Sequence, residues 1–224
     1  MVKRIKFNNR YWRYYIMLEE KFIKTERYVE IAPGNYNAFS NEYANLLISI
    51  GAEADELFKM NCGIEHDERA TINDYVMLKP EIEGAEVEIL NREIDNIKPF
   101  YGWDNNQPAK SLTWWSAYNA VKHNRGDNRQ EASMKNVLYA LAALCVLENY
   151  MLKRIAVEYN CMDVPSEYSR LFYIKGWKYN SGIINKHEKD IYISFDEDDE
   201  SDRKLLNMFE ELGWDDLGTS LPEE

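Results

Sequence analysis

Eleven apolar residues in unbroken succession, "VLYALAALCVL" from Val137 to Leu147, constrain this chain more than any other feature. A membrane span needs roughly twenty, so the run reads as the buried middle of a long helix from about Arg129 to Glu158. Such a helix must be enclosed by other elements, and the rest of the chain supplies them. From Ala38 to Met60, Phe39, Tyr43, Leu46, Leu47, Ile50, Ala54, Leu57 and Phe58 recur mostly at spacings of three and four, the pattern of an amphipathic helix stopped by Asn61–Gly63. Further helices are expected over about Trp12–Ile31, ended by Pro33-Gly34, over Ile72–Leu78, ending before Pro80, and over residues 109–124. "RGDN" (125–128) reads as a tight turn, and Asp127 with Gln130 has the spacing of a capping box for the helix after it. "AEVEILNREI" partly alternates and "IKPFYGW" is extended beside a proline, which leaves room for a small strand pair there. The expected fold class is mainly α: a helical bundle with a small β-hairpin insertion and an acidic C-terminal appendage.

Charge divides the chain. From His187 onward fourteen Asp and Glu stand against Lys189, Arg203 and Lys204, so that segment holds −11 of the net −12 and residues 1–186 hold only −1. Two units are expected: a helical domain over 1–186, and a tail over 187–224 that carries the acidic run "DEDDE" at 196–200 and an amphipathic helix with Leu205, Leu206, Phe209, Leu212 and Leu217. A nearly neutral body can still present a cationic face, so the low overall pI does not exclude RNA. At 45% hydrophobic and 13% aromatic residues the chain has the material of a compact core. The basic start lacks an apolar signal core, and Cys62, Cys145 and Cys161 have no paired spacing, which together lead to the expectation of a cytoplasmic protein with no membrane partner.

Chemistry concentrates in "SLTWWSAYNAVKHNRGDNRQ", residues 111–130. On a helical wheel Trp114, Ala117 and Val121 fall on one side, to face the core, while Trp115, Asn119 and His123 fall on the other, with Lys122 beside Trp115. His123 thus lies one turn from the Asn119 amide and close in sequence to Lys122 and Arg125. Asn119, Lys122 and His123 are the candidate catalytic residues, and Lys110, Trp115, Arg125 and Arg129 the candidate RNA contacts.

"WWSAYNAVKHNR" followed by a long apolar helix resembles the HEPN superfamily, in which a helix bears Arg, a polar residue, three residues and then His. Asn119 and His123 match the polar residue and the His, and Lys122-His123 resembles the "KH" of many members. The resemblance implies a compact all-α domain, a homodimer whose paired motifs form an RNA-cleaving cleft, and a toxin, defence or RNA-processing setting. It also implies metal-independent cleavage, in which His moves the 2′-OH proton while a cation and an amide hold the phosphate. The chain departs from the pattern at the Arg: the positions with the required spacing are Ser116, Ala117 and Tyr118, none cationic. Cleavage with a substitute cation and binding without cleavage therefore both stay open. A different class also stays open, a non-catalytic interaction module whose acidic tail docks a protein partner.

Other motifs are weaker. Cys62 and His66 have metal-like spacing without a second ligand pair, and no phosphate loop, nucleophile elbow or dinucleotide fingerprint occurs, so no metal and no cofactor are expected. Lys3, Arg4, Lys6, Arg10 and Arg13, interleaved with Phe7, Tyr11 and Trp12, suit either single-stranded RNA or a solvated lead-in to the first helix. The tail is a candidate competitor for an anionic ligand, folding back on the cations near Lys122, Arg125 and Arg129 or on the basic start.

Overall fold

A computed structural model describes residues 4–65, 68–159, 167–175, 183–187 and 190–194. The fold is mainly helical, and its axis is α7 (Met134–Tyr159). Val137, Leu138, Leu141, Leu144, Val146 and Leu147 of that helix have no exposed surface, and of the apolar run only Tyr139 is half-buried. Each such Leu contributes about 1.5–3 kcal/mol relative to its exposed state. Among the described residues no helix is long and apolar enough to cross a membrane.

α3 (Asn41–Cys62) is the main partner of α7. Ser40 caps its start by accepting from the Tyr43 N–H at 3.0 Å, which satisfies one of the first-turn donors. Its end is turned off by Gly63 at φ 70°, with the Gly63 and Ile64 N–H groups reaching the carbonyls of Met60 and Lys59. A glycine adopts this left-handed conformation without steric cost.

The first helical segment starts earlier and ends sooner than its sequence implies. α1 (Arg4–Phe7) passes through a π-helical turn, Asn8–Trp12, into α2 (Arg13–Lys24), and a 3-10 turn, Thr25–Arg27, follows. Residues 74–78 form a 3-10 turn, and Pro80, expected as a stop, instead sits in the first turn of α4 (Lys79–Ile82), where its missing N–H costs nothing.

β1 (Glu86–Ile89) forms as its alternation implies, but its partner is not the neighbouring segment. Val87 makes only a single bridge to Ile97, and the ladder runs antiparallel to β2 (Phe172–Lys175), pairing Val87 with Ile174 and Ile89 with Phe172. Val87, Ile89, Phe172 and Ile174 turn inward, which closes one side of the bundle.

Residues 109–124 are not one helix. Pro108 starts the short α5 (Pro108–Ser111), the chain extends at Leu112 (φ −88°, ψ 100°), and α6 (Thr113–Asn124) begins anew. The turn at 125–128 is present, but Arg129–Glu131 is a 3-10 turn and α7 starts behind Ser133, whose Oγ accepts from the Asn136 N–H at 3.3 Å. Asp127 does not cap α7, because its carboxylate accepts from the Asn124 amide at 2.6 Å.

A last hairpin, β3 (Ile183–His187) with β4 (Asp190–Ser194), runs across the position expected as the boundary between domain and tail. His66, Cys161, the acidic run at 196–200 and the expected tail helix around Leu205 and Phe209 lie outside the described residues.

Candidate functional site

The close approach of α3 and α6 fixes where the α6 residues point. A Cβ on Gly51 would lie 2.3–2.6 Å from ring carbons of Tyr118, so only glycine leaves room for that ring. Phe58, about two turns further along α3, meets Trp115 edge-on at 5.7 Å and Trp103 at 5.8 Å, and stacks on Tyr75 at 4.9 Å. Trp114 meets Trp115 at 90° and donates its indole N–H to the Pro99 carbonyl at 3.0 Å.

Trp115 is therefore a core residue at 5% exposure, a correction to its place among the RNA contacts. The wheel put it on the polar side, but α6 is covered over a broad arc: Trp114, Trp115, Ala117, Tyr118 and Val121 are all buried. Of the positions that would hold the Arg of the HEPN pattern, Ala117 and Tyr118 face this core and only Ser116 is exposed.

The polar residues that remain are grouped at the C-terminal end of α6. His123 is exposed. Asn119 is half-buried and donates its amide to the Trp115 carbonyl at 3.0 Å, so that donor is turned back on its own helix. Lys122 donates to Tyr118 Oη at 3.0 Å and lies 5.1 Å from the centre of that ring. This hydrogen bond raises the ammonium pKa, and the negative field of Asp55 adds to the effect. Asp55 in turn accepts from Tyr75 Oη at 2.8 Å. The Lys122–Tyr118 pair of α6 thus feels the Asp55 carboxylate of α3, itself held by Tyr75, an arrangement the sequence did not signal because its members are far apart in the chain.

The turn after α6 is held by its own amides: Asn128 donates to the carbonyls of Asn124 at 2.8 Å and Ala120 at 3.2 Å. It carries Arg125 and Arg129 exposed beside the helix end. Lys110 is exposed too, but it belongs to α5, beyond the opposite end of α6. Twelve helical residues span roughly 18 Å, so Lys110 stands apart from the group.

A cleft of about 1430 Å³ lies elsewhere, between α2, the β1–β2 sheet and α7, with Ile31, Ile89, Phe172 and Ile174 among its walls and none of the seven candidate residues. At its edge Arg92 grips Glu26 through two hydrogen bonds of 2.8 and 2.5 Å. Among the described residues no group of three His, Cys, Asp or Glu could hold a metal, and burial pushes the Cys62 thiol up to about 11.

Sequence reasoning also passed over two buried acids, Glu19 and Glu148. Each is a charged residue set in an apolar stretch, "YYIMLEEKF" and "ALCVLENYML", and that incongruity was the available signal. Compared with protein-family models, curated proteins and solved structures, the chain matches none of them.

Proposed function

We propose that the chain is a HEPN-like helical domain that holds RNA at the C-terminal end of α6, as a homodimer, and that binding outweighs cleavage. The observation that carries this reading is the grouping of exposed Lys122, His123, Arg125 and Arg129 on one helix end and its turn, with no ion pair to Arg125 or Arg129 among the described residues. Cations not neutralised by neighbouring acids are available to phosphates. Weak cleavage follows from the electrostatics: Lys122 is engaged by Tyr118, the Asn119 amide is turned inward, and no Arg stands at the spacing the HEPN pattern requires. Loss of one such contact typically costs roughly two to three decades in rate.

The test is titration of labelled single-stranded RNA with the full chain at several salt concentrations. Charge reversal at Arg125 and Arg129 together should weaken binding by about tenfold or more at low salt and flatten the salt dependence by roughly one unit of slope per lost phosphate contact. His123→Ala should leave affinity nearly unchanged and abolish whatever cleavage persists in EDTA. Ser116→Arg, which restores a cation at an exposed position of the right spacing, should raise cleavage. Unchanged RNA affinity in the charge-reversed protein overturns this reading in favour of the protein-docking one.

A further inference from the structure

Glu148 sits near the middle of α7 with 0% exposure, and neither of its carboxyl oxygens has a hydrogen-bond partner among the described residues. Packed on α7 are α3 and, on either side of the π-turn, α1 and α2; the Glu148 charge is felt by Tyr11 of that turn and by Cys145 one turn back on α7, and it feels Glu53 of α3. Glu53 is half-buried, with Glu56 beside it, and exposed Arg10 supplies a positive field at Tyr11. From α2, Tyr15 reaches Cys145, and Glu19 is occupied by Tyr15, Ser169 and Arg170.

We propose that Glu148 and Glu53 form a proton-binding device, in which a proton held on Glu148 keeps the junction closed and its release loosens the π-turn and α2 from α7.

A closed site without donors accepts a neutral acid far more readily than a carboxylate. Burial, and after it the charge of Glu53, hold the Glu148 carboxyl well above the usual range. Burial and then Glu56 push Glu53 up to about 7. Ionised Glu148 can be hydrated only if one wall moves. α3 is packed along α7 over much of its length, whereas α1 and α2, which the π-turn joins, share much shorter seams with it. That turn also contains Asn8, whose Oδ1 is buried with no donor among the described residues.

The direction of the pH response follows from the raised values. The closed state binds more protons than the open one, so closure is firmest below the ordinary glutamate value of 4.5 and weakens as pH rises. Both acids contribute up to about pH 7, and Glu148 alone contributes above that until it ionises in place. Each proton released on opening raises the opening constant about tenfold per pH unit.

Hydrogen–deuterium exchange of the full chain from pH 5 to 9, corrected for the intrinsic pH dependence of exchange, tests this. Opening of the Asn8–Trp12 and Arg13–Lys24 amides should rise by about tenfold per unit above pH 7, while the Thr113–Asn124 amides of α6 stay level. Glu148→Gln and Glu148→Leu, which cannot ionise, should be level above pH 7, and Glu53→Gln should halve the logarithmic slope between pH 5 and 7. A level wild-type profile, an equal rise in α6, or an undiminished slope in either Glu148 variant overturns the proposal. Should both Glu148 variants fail to fold, the wild-type profile and Glu53→Gln decide it.

Discussion

Glu19 on α2 and Glu148 on α7 are both shut away from solvent, yet their surroundings differ completely. Glu19 accepts from Tyr15 Oη at 2.7 Å, from the Arg170 N–H at 2.8 Å and from Ser169 Oγ, and Ser169 Oγ in turn accepts from the Phe172 N–H at 2.8 Å. Glu148 accepts from no donor among the described residues. The first acid is a fastener: it ties the strand at 172–175 to a helix near the other end of the chain, and so helps close the β1–β2 side of the fold. The second is a cost that the helix packing around it offsets. A buried acid's contribution is set by its donors, not by its depth.

Breaking the fastener should have the largest effect. Glu19→Leu removes the acceptor for a hydroxyl, a phenol and a backbone N–H at once. Some of these donors can turn to water, since Ser169 is half-buried and Arg170 exposed, so the expected loss is about 3 kcal/mol and not the full sum. A urea denaturation midpoint measures it, and amides of Phe172–Lys175 should lose protection before those of α7. A loss under about 1 kcal/mol would mean that apolar packing alone holds β2 in place.

The same kind of change at Glu148 should have the opposite sign. Glu148→Met keeps a similar volume and removes a group with no partner, and replacing an uncompensated buried polar group with an apolar one stabilises by about 1–3 kcal/mol. The sign of the pH dependence sharpens the contrast. Glu148 has a raised folded-state value, so the wild-type protein carries the penalty at pH 8 and little of it at pH 4, below the ordinary glutamate value of 4.5, where the acid is mostly neutral in both states. Denaturation at those two pH values should show the variant gaining at pH 8 and nearly matching the wild type at pH 4. Destabilisation at pH 8 would mean that Glu148 has an acceptor or donor role the packing depends on.

That contrast also marks how far the sequence could be read. The apolar run of α7 and the periodic stretch of α3 were legible because their signal is local: side chains three and four residues apart share one environment. The turn at 125–128 and the strand at 86–89 were legible for the same reason. β2 was not matched to β1, since nothing near Glu86–Ile89 names a partner as remote as Phe172. Trp115 was misplaced because a wheel assumes one covered side, whereas α3 and the aromatic cluster of Phe58 and Trp103 cover α6 over a wider arc. Glu19 and Glu148 could be noticed in the sequence but not told apart, because Ser169 and Arg170, which distinguish them, arrive from a distant segment. At the candidate site the sequence placed Lys122, His123, Arg125 and Arg129 together, but the engagement of Lys122 by Tyr118 depends on where the core aromatics settle.

Asn119 falls between the two acids, and its variant should show the smallest effect. Its amide has a partner, the Trp115 carbonyl at 3.0 Å, but that carbonyl belongs to the preceding turn of the same helix and the side chain is half-buried. Removing it leaves no sealed donor, as removing Glu19 does, and relieves no sealed charge, as removing Glu148 does. Alanine has the higher helix propensity, by a few tenths of a kcal/mol, while the lost hydrogen bond is one that competes with the helix ladder. Asn119→Ala should therefore shift stability by no more than about 0.5 kcal/mol in either direction, read as a thermal midpoint change of a few degrees at most. With the fold unaffected, the same variant also tests the proposed RNA contact: a fall in RNA affinity at unchanged stability would show that the side chain leaves the helix to meet a ligand. A loss well above 1 kcal/mol would instead make Asn119 a second fastener, and would place it with Glu19.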